Sequence, residues 1–405
     1  MTEKVKFTER KYVVVLIFVT SLFFLWAIAL TMGDVLNKHF QNVLNVSKAD
    51  SGLVQFSFFG AYAIMGIPAG LFASKFGYKK GVLLGLCLYA LGAFLFIPAS
   101  YAVSFNFFRL ALFILAMGLA TMETVAHPFV AALGDERTSD QRVNFAQSFN
   151  GLGAIVGPLI GGFFIFKSEG TKSLESVRQL YTVIGVVVLF ITLLFSFIKV
   201  PAIKDPHAVH ESEITAEENE PLYKRRHFVW AVLAQFCNIA AQAGTWAYFI
   251  NYGVEKMGLP ENQSSYYFSL SMAMMMLGRF VGTYVMRFIA PNKLLATAAI
   301  CNTILCLVIS QSFGWISFVS LVMLNFFLSI MYPTIFSLGL KKLGRKVNQG
   351  SSFLVMALFG GAVLPHFMGK IAETNVAKAY FLPIICYIVI FLFAVKFYKP
   401  KSHND

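Results

Sequence analysis

Charge is what this chain has least of. Only 13% of its 405 residues are Asp, Glu, Lys or Arg, about half the share of an ordinary soluble domain. That deficit excludes a solvated globular surface. Acids are scarcer still, 20 against 33 Lys and Arg. Cysteine is limited to Cys87, Cys237, Cys301, Cys306 and Cys386, all inside apolar runs and without ligand-like spacing. They read as packing residues, and neither a disulfide framework nor a metal site is expected. A phosphate-cradling glycine loop, an ATPase motif and a nucleophile–base constellation are also missing, so enzyme chemistry, a cofactor and nucleotide-driven pumping are not expected. The ten-residue alternation of polarity that marks an outer-membrane barrel is absent too.

What is present is apolar: 57% of residues are hydrophobic, gathered in runs long enough to cross a bilayer as helices, which takes about 20 residues. The pattern predicts an all-α membrane protein with twelve spans, at 12–36, 51–73, 80–100, 104–133, 142–167 and 179–199, then 228–254, 262–288, 293–312, 315–340, 350–372 and 377–397. The first span is too long for a signal-peptide core and is expected to be retained. One polar stretch, 200–227, separates an N-terminal six-helix half (1–199) from a C-terminal six-helix half (228–405). It carries Glu211, Glu213, Glu217, Glu218 and Glu220, then Lys224, Arg225 and Arg226, and reads as a cytoplasmic tether. The halves repeat. Gly70 to Phe76 after span two matches Gly282 to Phe288 after span eight, and Pro128 to Gly134 matches Pro333 to Gly339. Duplicated six-span halves around a polar midpoint suit a secondary transporter.

Two acids stand out because they alone fall inside spans: Asp34, in FFLWAIALTMGDVL, and Glu123, in LAMGLATMETVAHPFVAALG. A carboxylate at bilayer depth costs about 2.5 to 3.5 kcal/mol on insertion scales, so it normally faces protein or a water-filled cavity. Burial disfavours its charged form, which suits it to exchange protons. Pro128, five residues after Glu123, withholds a backbone donor and weakens the helix there. Arg109 lies about 21 Å from Glu123 along the same helix at 1.5 Å per residue and cannot neutralise it. The acids are therefore candidate proton-coupling groups. Amides and aromatics elsewhere in spans are candidate ligand contacts or interhelical polar glue: Asn144, Gln147 and Asn150 on one face of span five, Asn238, Gln242 and Asn251 with Trp246 in span seven, Asn325 and Tyr332 in span ten. A flat indole such as Trp26 or Trp246 can cover the apolar face of a sugar. His127 is expected to make a helix hydrogen bond.

Several of these stretches resemble the fucose–galactose–proton symporter family of the major facilitator superfamily. The resemblance rests on FFLW with Asp34 eight residues after Trp26, ET-x-A-x-PFV around Glu123, AQ-x-FN at Gln147, GRFVGT at Gly278 to Thr283, and YPTIFSLGLKKLG from Tyr332. It implies the major facilitator fold and a proton-coupled monosaccharide importer, for L-fucose or a related hexose, working as a monomer in the lipid bilayer of the cell inner membrane. In such proteins the span-one acid is tied to sugar recognition and the span-four acid to proton binding, roles that fall on Asp34 and Glu123. The implied substrate set is Trp26, Thr31, Asp34, Gln147, Asn150, Gln242, Trp246, Tyr266 and Tyr332. Some positions depart from the family pattern: Leu30, Thr31 and Gly33 stand where asparagines surround the first acid, Asn150 replaces glutamine, Tyr266 and His127 replace asparagines, and Ser74 occupies an aspartate position after span two. A buried polar group left unpaired costs about 1 to 3 kcal/mol, so such changes can switch which sugar fits. A sodium-coupled carrier and a multidrug exporter of the same fold are the alternatives, though clustered amides suit an exporter's apolar pocket poorly.

Orientation follows from loop charge. Lys75, Lys79, Lys80, Lys199, Lys224, Arg225, Arg226, Lys341 and Lys342 share the side of the N-terminus, while the opposite side holds few basic residues, and the net charge of +13 thus reflects topology rather than nucleic-acid binding. Lys and Arg collect on the cytoplasmic side, so both termini are expected there. An impermeant thiol reagent applied to intact cells should leave Glu217→Cys unlabelled, and efficient labelling would reverse the topology.

Overall fold

The computed structural model describes residues 7–135, 138–166, 174–200, 221–286, 288–343 and 346–400. Most of the stretch expected as a tether lies outside the described residues. Described residues form helices and no strand. In chain order these are α1 (Val13–Val43), α2 (Leu53–Phe76), α3 (Tyr78–Phe94, continued as Phe96–Ala102), α4 (Phe105–Ala131), α5 (Ser139–Phe164) and α6 (Leu174–Phe197). Then come α7 (Arg226–Ala247, continued as Phe249–Met257), α8 (Glu261–Val285), α9 (Pro291–Gln311), α10 (Trp315–Leu328, continued as Met331–Gly339), α11 (Val347–Met356, continued as Gly360–Thr374) and α12 (Phe381–Leu392). Ten helical stretches among the described residues are long and apolar enough to cross a membrane. The two remaining expected spans are α5 and α7, of similar length but richer in Asn and Gln. The largest boundary difference is at α1, expected to end at 36 and found to reach Val43. Asn37, Lys38, His39 and Gln41 suggest a loop by composition, yet they continue the helix and are partnered inside the protein.

Side chains that face outward are those a soluble protein would bury, among them Ile17, Leu71, Val183, Phe190, Ile304 and Ile385. This is a multi-pass membrane protein, with the bilayer as the solvent of its helices.

By packing, the chain resolves into two compact units. Described residues of the first fall within 1–32, 64–157 and 173–212, those of the second within 33–63, 158–172 and 213–405. The division cuts α1, α2 and α5, and its last boundary falls within the polar stretch.

In the first unit α3 and α4 are joined through glycines. A Cβ on Gly118 would lie 2.5 Å from the Gly85 carbonyl oxygen and 2.5 Å from the Tyr89 nitrogen, so only glycine permits this approach. Small residues let membrane helices come close where no hydrophobic drive between them exists. Phe96 stacks on Tyr181 of α6 with ring centroids 3.7 Å apart. Ser104 caps α4, its hydroxyl accepting from the Phe107 N–H at 3.3 Å.

The other end of α4 is closed by Arg142, the first residue of the fifth expected span. It is fully buried. Its guanidinium donates to the carbonyl oxygens of Val130 at 3.1 Å, Phe7 at 2.9 Å and Asp135 at 3.1 Å, to that of Ala131, and to the Thr138 hydroxyl at 2.6 Å. The last carbonyls of a helix have no partner within it and carry partial negative charge, so a cationic fork of five donors satisfies both needs.

The second unit is built from α7 to α12 together with 33–63 and the end of α5. Pro333 lacks the N–H that would bond the Ser329 carbonyl, and α10 breaks between Leu328 and Met331. The short helix Lys48–Ser51 packs on α11: the Tyr248 hydroxyl lies 2.7 Å from the Lys48 carbonyl and 2.9 Å from that of Pro365. A Cβ on Gly52 would meet the Pro365 carbonyl oxygen and the His366 nitrogen at 2.9 Å.

Arg142→Ala should cost several kcal/mol, on the order of 3, because it strands buried carbonyls, and Arg142→Lys should recover less than half of that loss because an ammonium cannot reproduce the fork. Melting curves of the purified protein in detergent check this; native stability in Arg142→Ala would reduce the side chain to a bystander.

Candidate functional site

The sequence-derived candidates fall into two sets, each inside one unit. Trp26, Thr31, Glu123, Gln147 and Asn150 belong to the first unit, and Asp34, Gln242, Trp246, Tyr266 and Tyr332 to the second.

In the first unit α1 and α5 meet along glycines. Gly153 lies against the Phe24 carbonyl and Ala27, and Gly157 against the Thr31 hydroxyl, with no room for a Cβ at either. This closeness sets Gln147 and Asn150, about two turns and one turn before Gly153 on α5, beside α1 and α4. The Asn150 amide donates to the Phe23 carbonyl at 3.3 Å. His127 joins the set: its Nδ1 is 2.8 Å from the Glu123 carbonyl oxygen and its Nε2 is 2.6 Å from the Gln147 amide nitrogen. A carbonyl can only accept, so Nδ1 carries the proton, and Nε2 accepts from the amide. Phe23 meets the imidazole edge-on at 4.9 Å between centroids, and Trp26 meets it at 6.3 Å and 83°. Glu123, His127, Gln147 and Asn150 are all half-buried. The result is an imidazole, two amides and an indole on three adjoining helices, with Glu123 joined to the set through its backbone carbonyl. His127 makes the helix hydrogen bond expected of it, and its second bond, to Gln147, is new. Thr31 is fully buried, and its hydroxyl donates to the Ala27 carbonyl at 3.0 Å. Its place in this arrangement is the packing of α1 on α5.

In the second unit Asp34 is 6% exposed and accepts from the Gln55 amide at 2.8 Å. Gln55 in turn accepts from the Asn37 amide at 3.1 Å, and both residues are buried. Neither was among the candidates drawn from sequence, although each is an amide within an apolar span. The signal was available: Asp34, Asn37 and Gln41 recur at helical spacing on one face of α1. Trp246 is also buried. Its indole N–H donates to Asn325 at 2.9 Å, and Asn325 donates to Ser271 at 2.9 Å, which leaves the nitrogen fully used between α7, α8 and α10. Gln242 is half-buried; Tyr332 is half-buried and stacks over Phe336 at 6.0 Å; Tyr266 lies against Gly162 and is 39% exposed. Among the described residues no three His, Cys, Asp or Glu side chains gather where they could hold a metal ion.

The model of the Major Facilitator Superfamily matches residues 13–365. The L-fucose-proton symporter of Escherichia coli K12 is 37% identical over 409 residues, covering 95% of this chain and 93% of that protein. A glucose/galactose transporter of Brucella abortus is 32% identical over 390 residues, covering 95% and 94%. A crystal structure of the E. coli fucose:proton symporter superposes with a TM-score of 0.70, covering 97% of this chain and 100% of that one. The chain belongs to the Major Facilitator Superfamily, in the group that contains these L-fucose–proton symporters and glucose/galactose transporters, and its fold is that of a membrane transporter and not of an enzyme.

Proposed function

We propose that this protein imports a monosaccharide, L-fucose or a related hexose, together with a proton, by alternating access across the cell inner membrane. The observation that carries the reading is the bonding of His127 to Gln147 and to the Glu123 backbone, with Trp26 beside the ring and Asn150 bonded to the neighbouring Phe23 carbonyl. Amides offer directional donors and acceptors for sugar hydroxyls, an indole offers a flat apolar face, and a half-buried carboxyl group can take up and release a proton. The activities of the similar proteins, L-fucose–proton symport and glucose/galactose transport, support the same reading.

Within it, Glu123 is the main proton carrier and Asp34 couples sugar binding to protonation. Sugar contacts come from Trp26, Gln147, Asn150, Gln242, Tyr266 and Tyr332. Trp246 and Thr31, whose polar atoms are engaged inside the protein, shape the neighbourhood from behind. A cytoplasmic position for both termini, a tether at 200–227 between halves 1–199 and 228–405, and a monomeric carrier complete the proposal.

Two measurements in proteoliposomes test the roles of the acids. Glu123→Gln stands in for the protonated acid. It should retain counterflow of labelled sugar near the native rate while accumulation driven by a pH gradient falls to equilibration, whereas Asp34→Asn should lower counterflow as well, by about ten-fold or more for a lost charge-assisted contact. Concentrative uptake by Glu123→Gln would remove Glu123 as the proton site. Uptake that follows an imposed sodium gradient and ignores pH would favour a sodium-coupled carrier.

Specificity is separable from packing. Asn150→Gln should move the ranking of L-fucose, D-galactose and D-glucose in competition assays at little cost in stability. Thr31→Asn should lower the melting temperature, because overpacking a closed contact costs about 1 to 3 kcal/mol. An unchanged ranking in Asn150→Gln would take Asn150 out of the pocket.

A further inference from the structure

The Asp34–Gln55–Asn37 contact does not end at Asn37. Asn37 accepts from the Gln41 amide at 2.8 Å, one helical turn further along α1. Gln41 accepts from the Asn251 amide of α7 at 2.7 Å and also donates to the Ser51 hydroxyl at 2.9 Å. The Asn251 amide lies 3.4 Å from Glu255, and Glu255 pairs with Lys48 at 2.8 Å. The Lys48 ammonium donates in addition to the Ala372 carbonyl of α11 at 2.7 Å. Each of these amides has an N–H directed toward Asp34, while the Gln41 amide also lies 3.5 Å from the Asn251 oxygen, and reversing one of them would bring two donors or two acceptors face to face. Asn37, Ser51 and Asn251 are fully buried, and Gln41 between them is half-buried.

We propose that Gln55, Asn37 and Gln41 are positioning residues that transmit the charge state of Asp34 to the seam where 33–52 packs on α7, α8 and α11. The proposal rests on the reading of Asp34 as a coupling acid. A hydrogen bond to an ionised acceptor is about twice as strong as one to a neutral acceptor, and aligned amides polarise one another. An ionised Asp34 therefore tightens each bond back to Asn251 and holds the end of α7 against α1. Protonation removes the anchoring charge, and the seam loosens at its far end. Sequence spacing made this possible: Asp34, Asn37 and Gln41 form one polar stripe on an otherwise apolar helix, leading from the acid to the helix end.

Other titratable groups face the same seam. Lys38 lies 4.0 Å from Glu261, which also accepts from Asn42; Glu373 accepts from the Ala49 N–H at 3.3 Å; His366 lies 3.0 Å from the Ala49 carbonyl. His39 and Asp50 lie on the same stretch. A pH response of the seam is therefore assigned to Asp34 only if the relay carries it.

The test is a distance measurement that needs no sugar. Spin labels at Val46→Cys and Lys370→Cys, in a background without the native cysteines, report the seam directly in nanodiscs. The native chain should show one short distance in mildly alkaline buffer, with a longer population that grows by about five-fold or more in mildly acidic buffer, the lower bound for a coupling of functional size. Asp34→Asn should show the longer population at both pH values. Gln55→Met, close in volume to the native residue, and Asn37→Leu should each keep a folded protein whose distances change less than about two-fold between the buffers. A response that persists in these variants overturns the relay. One that persists in Asp34→Asn assigns the effect to His366, Glu255, Glu261 or Glu373 and overturns it as well. Absence of sugar uptake with an intact relay response would fault the transport reading alone, and proton-driven uptake with pH-insensitive distances would fault the relay alone.

Discussion

A polar group withdrawn from water must find a partner, and in a bilayer it finds one only inside the protein. That constraint organises this chain. Arg142 answers it at the end of α4, where one guanidinium serves the carbonyls of Phe7, Val130, Ala131 and Asp135. The Asn325 amide answers it between Trp246 and Ser271. Asp34 answers it through Gln55, and His127 through the Glu123 carbonyl and Gln147. Each solution fixes the register of two or three helices, because the amides and the imidazole are directional where the surrounding Phe and Leu contacts are not. Polar residues here specify which helices meet, and apolar ones mostly fill the space between them.

Glycine makes those meetings possible. Amide and imidazole side chains are short, and they reach one another only if their backbones approach closely. Gly153 and Gly157 bring α5 onto α1, and Gly85 and Gly118 bring α3 onto α4. Substituting one of the α5 glycines would move Gln147 and Asn150 away from their partners without touching a polar atom. The fine placement of the candidate contacts thus depends on residues that bear no chemistry themselves.

Much of this was legible in the sequence. Twelve apolar runs, a polar midpoint and two matching segments indicated the architecture, and the two acids at bilayer depth marked Asp34 and Glu123. What the sequence hid were partnerships. Arg142 looks like any cation at the edge of a span until the helix end it closes is known. Gln55 and Asn37 are single amides in apolar runs, unremarkable until Asp34 is seen to need a donor. Trp246 reads as a sugar platform, while its buried N–H is taken by Asn325. The end of α1 reads as loop because Asn37, Lys38 and His39 are polar, but inside a protein such residues remain helical when neighbouring helices satisfy them.

The orientation of the His127 ring has a consequence for proton traffic. With Nδ1–H committed to the Glu123 carbonyl and the Nε2 lone pair occupied by the Gln147 amide, the imidazole has no vacant position for a second proton. Accepting one would require the Gln147 amide to turn its oxygen toward the ring or to move away, since two donors cannot share that 2.6 Å contact. As long as the amide keeps its N–H on Nε2, the ring stays neutral. Gln147, a residue that never ionises, thus sets whether the imidazole beside it can become charged.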